Sequence, residues 1–554
     1  MLELITANMA PIMFASLILF LLLGFPIAFT LAAHGLLFGV IGIELGLFTP
    51  ALFQALPQRI FGIIANDTLL AIPFFTFMGL ILERSGMAEE LLETVGQLFG
   101  PLKGGLAIAV VVVGTVLAAT TGVVSASVIA MGLISLPIML RYGYDRRLAT
   151  GTIAAVGTLS QIIPPSVVLI VLADQLGRPV GDMYRGAILP GFLLVGCYLV
   201  YIVVLALLSP KRAPAMPEEA RVMIEPNGSH GTRSLLVLMG VSIVAALGIV
   251  EWMVLEDAAV DETVVIGVLA WGLVAFALAV INKLLGLKLL SQIAERVTFA
   301  MIPPLVLIFL VLGTIFLGLA TPTEGGAMGA VGAIIMALSR KRLSMGLLRQ
   351  AMDTSIKLTS FVIFILVGAT VFTLTFRGVD GDLWVEHLLV NMPGGELGFL
   401  IFVSVFVFVL AFFLDFFELA FIVVPLLAPV AATMGIDPIW FGVLLAMNMQ
   451  TSFMHPPFGF ALFYLRSVAP KEDYIDKVTG KLIPKVTTGQ IYRGSIPFIC
   501  IQLFMVAIIL AFPSLVTHYK AGVSQVDPST VEIKMEGGFG DSMWGDDNAA
   551  PIFK

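Results

Sequence analysis

The chain has 554 residues, 59% hydrophobic and 12% charged, with a formal net charge of −7. Globular chains hold about 45–50% apolar and about 25% charged residues, so this surplus excludes a water-soluble protein and makes lipid the solvent. The net charge decides little, because in a membrane chain the placement of Lys and Arg outweighs their sum.

The amino terminus carries Glu3 and no Lys or Arg before Arg59. It therefore lacks the basic region of a cleavable secretory signal, and the first helix is expected to remain. The runs Ile12 to Phe29, Leu235 to Val250, Val264 to Ile281 and Phe399 to Leu414 approach or exceed the ~20 residues that cross hydrocarbon. Asp67, after Asn66, and Glu324, in Thr321-Pro322-Thr323-Glu324, read as acidic groups at helix starts that compensate the dipole. Cys197 and Cys500 each lie inside an apolar run and read as small packed hydrophobes, not as a disulfide.

The chain repeats itself. Ser160-Gln161-Ile162-Ile163-Pro164-Pro165 matches Ser452-Phe453-Met454-His455-Pro456-Pro457 at an offset of 292, and Pro137 meets Pro429 at the same offset. Tyr184-Arg185-Gly186 with Pro190 recurs as Tyr492-Arg493-Gly494 with Pro497, the offset having grown to 308 through the polar stretch Lys471 to Lys485. Duplicated halves are a common plan of secondary transporters. The expected division is 1–208 for the first repeat, 209–300 for a linker, two extra membrane helices and an amphipathic arm over Lys283 to Thr298, 301–515 for the second repeat, and 516–554 for a polar acidic tail.

Basic loops stay cytoplasmic. Arg141, Arg146 and Arg147 form one such loop, Lys211, Arg212, Arg221 and Arg233 a second, Arg340 to Arg349 a third, and Lys471 to Arg493 a fourth. The acidic stretches Glu256 to Glu262 and Asp380 to Glu396, and the tail after Asp527, then fall outside, with both termini periplasmic. This pattern closes only if the segments near 107–140 and 399–434 enter and leave on one side each, which makes them re-entrant hairpins and the halves inverted.

Non-helical chain at membrane depth survives only where it lines a cavity or is buried in protein. Four places qualify: the small, hydroxyl-rich turn Ala118 to Ser127, the turn Phe413 to Glu418, and the breaks at Pro164-Pro165 and Pro456-Pro457 within helices near 148–176 and 439–466. Proline interrupts its helix and frees upstream carbonyls. With Thr158, Ser160, Thr451 and Ser452 they supply uncharged oxygen suited to a hard monovalent cation, sodium being preferred. The half-helix amino termini beyond each break favour an anionic group, and a carboxylate fits. Asp415 and Glu418 read either as ion-coupling groups or as a hydrated hairpin tip. His455 reads either as a proton site or as a hydrogen-bonded wall residue.

The run Asn66 to Phe75, the Ser160 to Pro165 break, the Thr321 to Glu324 turn and the Tyr184-Arg185-Gly186 element together resemble the large membrane subunit of tripartite ATP-independent periplasmic (TRAP) transporters, over most of Met9 to Pro513. The resemblance implies an all-α polytopic protein with the inverted-repeat elevator fold of the ion-transporter superfamily, two re-entrant helical hairpins and two broken helices. It implies import of an organic anion by sodium symport across the bacterial inner membrane, no cofactor beyond coupling sodium ions, and no enzymatic activity. The implied partners are a small four-helix membrane subunit, a periplasmic substrate-binding protein and lipid, with no nucleic acid. Carried onto this chain, the ion and substrate positions are Thr120, Thr121, Gly122 and Ser125, then Ser160, Pro164 and Pro165, then Asp415 and Glu418, then Thr451, Ser452, Pro456 and Pro457. Sodium would be held by Thr121, Ser125, Ser160, Thr451, Ser452 and neighbouring carbonyls. The spans near Leu235 to Val254 and Val264 to Lys283 are additions to the compact form of the family.

Two rival readings compete with this one. A stand-alone sodium/proton or anion exchanger would share this fold. An intramembrane aspartyl protease would need Tyr144-Asp145 and Gly538-Phe539-Gly540-Asp541 to meet within the membrane, yet both lie in polar segments on opposite expected faces.

Overall fold

The computed structural model describes residues 6, 8–223, 231–253 and 260–522, except for the side chains of residues 121, 253, 260–262, 521 and 522. The acidic tail after Asp527, the Gly538 to Asp541 motif, most of the loop Glu256 to Glu262 and the Thr121 side chain lie outside these. Nine described helices are long and apolar enough to cross a bilayer, or eleven if each of two bent pairs is one span. Their outward faces carry large apolar side chains, such as Leu207 and Leu208, as a lipid solvent requires.

The first half opens with α1 (Met9–Leu22), α2 (Ile27–Glu44), α3 (Leu56–Ile64), α4 (Asp67–Arg84) and α5 (Met87–Phe99). The first hairpin follows as α6 (Gly105–Thr121) and α7 (Val124–Arg141), parted only by Gly122 and Val123. The Val-rich run of α6 would favour a strand in water, but in hydrocarbon each amide must find its partner within the segment, so it is helical. At the turn, Gly122 takes φ +59°, a left-handed conformation that a β-carbon would disfavour. The broken helix comes next: α8 (Arg146–Thr158), a single 3-10 turn (Leu159–Gln161), a non-helical stretch to Ser166, and α9 (Val167–Gln175), before α10 (Val180–Leu208). Small residues bring these helices together, with Gly114 receiving Val156 and Gly157 receiving Val128.

Between the halves, α11 (Thr232–Met253) and α12 (Val260–Leu284) pack on each other and on α13 (Gln292–Phe316). They are the added spans, and only 22% of each is buried against 56% of α13, which sets them at the periphery. The amphipathic arm expected over 283–298 is not a separate helix. Leu287 N and Leu289 N bond to Asn282, and Ser291 caps α13, so Glu295 and Arg296 belong to the first turn of a spanning helix. The 209–223 part of the linker is strapped down rather than free: Gly104 N bonds to Ala213 O, Asp145 N to Arg212 O and Met216 N to Gly100 O.

The second half repeats the order. After α14 (Pro322–Ser339) and α15 (Met345–Gly378), α16 (Gly381–Val390) bends by 117° into α17 (Gly395–Leu410), the first arm of the second hairpin. The chain breaks at 411–415 and returns through Phe416–Val423 into α18 (Val424–Thr433). The second broken helix is α19 (Pro438–Met449), a 3-10 turn (Gln450–Phe453), a non-helical stretch to Gly459, and α20 (Phe460–Val468), followed by α21 (Thr488–Ala511). The extra polar stretch folds as a β-hairpin, β1 (Tyr474–Ile475) pairing antiparallel with β2 (Leu482–Ile483).

Residues from three of the four basic loops converge. Arg141, Arg146, Arg147, Lys211, Arg212 and Lys481 line one cavity of about 1380 Å³. Arg340, from the remaining loop, pairs with Glu90 on α5, the helix whose Glu89 and Glu93 line that cavity.

Candidate functional site

Each half builds its break by the same local chemistry. Asp145 caps α8 by accepting from the amides of Arg147 and Leu148 at 2.8 and 3.2 Å, and Asp437 caps α19 by accepting from those of Ile439 and Trp440 at 2.9 and 3.0 Å. Asp145 is thus a helix cap. The caps stand 292 residues apart, the offset of the breaks, and extend the repeat beyond the motifs that revealed it. Ile162 N and Ile163 N bond to Leu159 O, and Met454 N and His455 N bond to Thr451 O, so both helices tighten identically before opening. Both Pro-Pro bonds are cis. A tyrosine closes each break from outside: Tyr184 donates to Ser166 O at 3.4 Å and Tyr492 to Pro457 O at 3.2 Å.

Each hairpin tip rests on the break of its own half. A β-carbon on Gly122 would stand 3.6 Å from Val167 N and 3.9 Å from Pro165 O. At the second tip the His455 ring lies against Phe412 and Phe408, with centroids 4.2 and 4.4 Å apart. Beyond the breaks the halves exchange partners. α9 packs on the 419–433 return of the second hairpin, and α20 packs on α7 of the first. α21 crosses α8 with Gly494 against the Arg147 carbonyl, and α10 crosses α19 with Gly186 against Ile439. These reciprocal contacts relate the halves by an approximate two-fold.

Hydroxyl and carbonyl oxygens crowd the breaks. Thr120, Ser160 and Thr451 are buried and donate to Leu117 O, Gly157 O and Asn448 O at 2.8, 3.0 and 2.7 Å, leaving oxygen lone pairs available. Ser452 Oγ, Gln161 Oε1 and Asn448 Oδ1 are buried with no hydrogen-bond partner among the described residues. Such orphan acceptors suit an ion. The His455 ring is walled by the Phe408 and Phe412 rings. Ser125 is half-buried. Pro164 and Pro165 are buried, whereas Pro456 is half-buried and Pro457 exposed, so the first break is occluded and the second open on one side.

Asp415 and Glu418 form a capping box: Glu418 N donates to Asp415 Oδ1 at 2.9 Å and Asp415 N to Glu418 Oε2 at 3.0 Å. The tip is held by its own carboxylates, a use that sequence reading left out. Glu418 also lines a cavity of about 730 Å³ with Lys357, Phe361 and Phe413. Glu324 forms the expected capping box with Thr321, while at the start of α4 the cap is Asn66, with Asp67 one residue inside. Asn66 Nδ2 further donates to Asp174 Oδ1 at the end of α9, 2.6 Å away.

The amides Gln161, Asn448, Gln450 and Gln502 were missed. Their signal was present, since each is an uncharged polar residue within or beside an apolar run, and two flank the hydroxyls that were selected.

Residues 14–515 match the family model described as tripartite ATP-independent periplasmic transporter, DctM component. The chain is 28% identical over 473 residues to the C4-dicarboxylate TRAP transporter large permease protein DctM of Pseudomonas aeruginosa, covering 84% of this chain and 90% of that one. It is 25% identical to the protein of the same name in Rhodobacter capsulatus, covering 91% and 99%, and 24% identical to the ectoine TRAP transporter large permease protein TeaC of Halomonas elongata, covering 92% and 98%. Match and architecture agree: this multi-pass membrane protein belongs to the DctM family of tripartite ATP-independent periplasmic transporters, as a large permease subunit.

Proposed function

We propose that this chain is the sodium-coupled permease of a tripartite importer in a bacterial inner membrane, taking a carboxylate-type organic anion from a periplasmic binding protein and working beside a small four-helix membrane subunit. The observation that carries the reading is the pair of equivalent helix breaks, each under a hairpin tip and ringed by neutral oxygens, Ser452 Oγ and Asn448 Oδ1 among them without a partner among the described residues. Neutral oxygen donors fit sodium better than a soft or strongly polarising metal. Each break would hold one ion, with Ser160 and Thr120 serving the first and Thr451 and Ser452 the second. The amino-terminal turns of α9 and α20 point toward the breaks and favour a carboxylate. C4-dicarboxylates, named for two relatives, are the first substrates to try. The two inverted halves would carry the sites across as an elevator, with both termini periplasmic.

The test is uptake of a radiolabelled C4-dicarboxylate into proteoliposomes holding the permease and its small subunit. Uptake that needs both an inward sodium gradient and added binding protein supports the reading. Sodium/proton exchange by the permease alone would replace it with the exchanger alternative.

A further inference from the structure

A polar joint ties the two halves together where they meet. Gln450 Nε2 donates to Thr158 Oγ1 at 3.1 Å. Gln502 Nε2 donates to the same oxygen at 3.3 Å and to the Tyr198 hydroxyl at 3.1 Å, and Thr158 passes its own proton to Ala155 O at 2.7 Å. All four side chains are buried. Thr158 and Gln450 are 292 residues apart, the offset between the two breaks, so each is the other's counterpart. A position can touch its own counterpart only on the axis that relates the copies, which places this bond on the approximate two-fold.

The joint also sits at the entrance to both breaks. Thr158 ends α8 and leads into the turn that carries Ser160; Gln450 opens the turn that carries Thr451 and Ser452. In a low-dielectric interior a broken bond here strands a buried amide N–H, so the joint resists any arrangement in which one turn moves and the other does not.

We propose that the Thr158–Gln450–Gln502 joint couples ion binding at the two breaks. A cation that orders the Leu159–Gln161 turn presets the Gln450–Phe453 turn through this joint, and the reverse follows by linkage. The inference rests on the reading that each break holds a sodium ion. Thr158, read from sequence as one of the cation's oxygen donors, has its hydroxyl engaged by Ala155 O, Gln450 and Gln502, so it acts with Gln450 and Gln502 as a positioning residue and not as a ligand.

Equilibrium binding of radiolabelled sodium to the purified full-length permease reads both quantities that matter, the ions bound per chain and the Hill coefficient. The wild type is expected to bind more than one ion with a Hill coefficient clearly above 1. Thr158→Val and Gln450→Leu are expected to lower that coefficient toward 1 with the number of ions unchanged, and Thr158→Ser to restore it. A folded, monodisperse Thr158→Val or Gln450→Leu protein that keeps the wild-type Hill coefficient overturns the coupling. So does a variant that loses ions along with cooperativity, since the residue is then a ligand, and so does a wild type that binds several ions without cooperativity. A wild type that binds no sodium removes the ion reading itself.

Discussion

Arg141, at the end of the first hairpin, pairs with Asp476 in the β-hairpin of the second half, Nε to Oδ1 at 3.0 Å, with the carboxylate side chain only 5% exposed. The inserted stretch is thus fastened to the base of the element that it covers. Burial pushes the Asp476 carboxyl up, but hydrogen bonds from the Thr479 hydroxyl and amide and from Arg141, with the Arg141 charge, outweigh it and hold the carboxyl below its ordinary range. A lowered carboxyl stabilises the folded hairpin above the unfolded value of about 3.9, and that contribution is lost as pH falls through the lower folded value. Limited proteolysis of the 471–485 stretch should accelerate below about pH 4. Asp476→Asn should show about tenfold faster cleavage at neutral pH, the scale of one charge-assisted hydrogen bond, and lack the acid step.

The crossings of α21 on α8 and of α10 on α19 rank three glycine substitutions. A β-carbon on Gly494 would meet the Arg147 carbonyl, a backbone atom that cannot move aside, and stand 2.9 Å from Thr150 Oγ1. One on Gly186 would meet γ-methyls of Ile439 and Val516 at 2.9 and 3.0 Å and the Val516 carbonyl at 3.3 Å, looser contacts than at Gly494, and one on Gly489 would meet nothing within 4 Å. Gly494→Ala should cost about 1–3 kcal/mol, Gly186→Ala less, and Gly489→Ala should be neutral or gain up to about 1 kcal/mol. Thermal melts of the three purified variants give the order.

Capping and ion coupling make different demands on Asp415. The observed bond to Glu418 N needs an oxygen, not a charge. Asp415→Asn should therefore keep sodium affinity and stability near wild type, whereas Asp415→Ala should lose about 1 kcal/mol. Sodium titration of both variants checks this, and a large affinity loss in Asp415→Asn would assign the carboxylate to ion coupling as well as to capping.

Ser160 and Ser452 are counterparts with unequal surroundings. Ser160 donates to Gly157 O, so Ser160→Ala should destabilise the ion-free protein by about 1 kcal/mol. Ser452 Oγ has no partner among the described residues, so Ser452→Ala should leave ion-free stability unchanged or raised while weakening sodium binding. Melting with and without sodium separates the two effects.

The membrane fold was legible because its punctuation is chemical. Proline breaks, the Gly122 turn and the hydroxyl-rich tip appear as interruptions in otherwise apolar sequence, and each lies where it was read. The capping box of Asp415 and Glu418 was less legible, since two carboxylates in an apolar run look costly until their local amides are seen to satisfy them. The joint on the two-fold escaped entirely. Thr158 and Gln450 share a position in the repeat but not a side chain, so comparison of the halves passes over them, and only folding shows that they meet. The 283–298 segment misled because its apolar spacing continues through the turn at Asn282 to Ser291, which local hydrogen bonds, not periodicity, dictate.

Sodium-specific stabilisation of the purified permease tests most directly whether the two breaks are cation sites. A ligand that binds only the folded state raises its stability by about 2.7 kcal/mol at a hundred times its dissociation constant. Sodium should raise the melting temperature at constant ionic strength where potassium does not, and the double substitution Ser160→Ala with Ser452→Ala should abolish most of that rise. Equal melting in sodium and potassium, or a full sodium response in the double variant, would contradict the assignment.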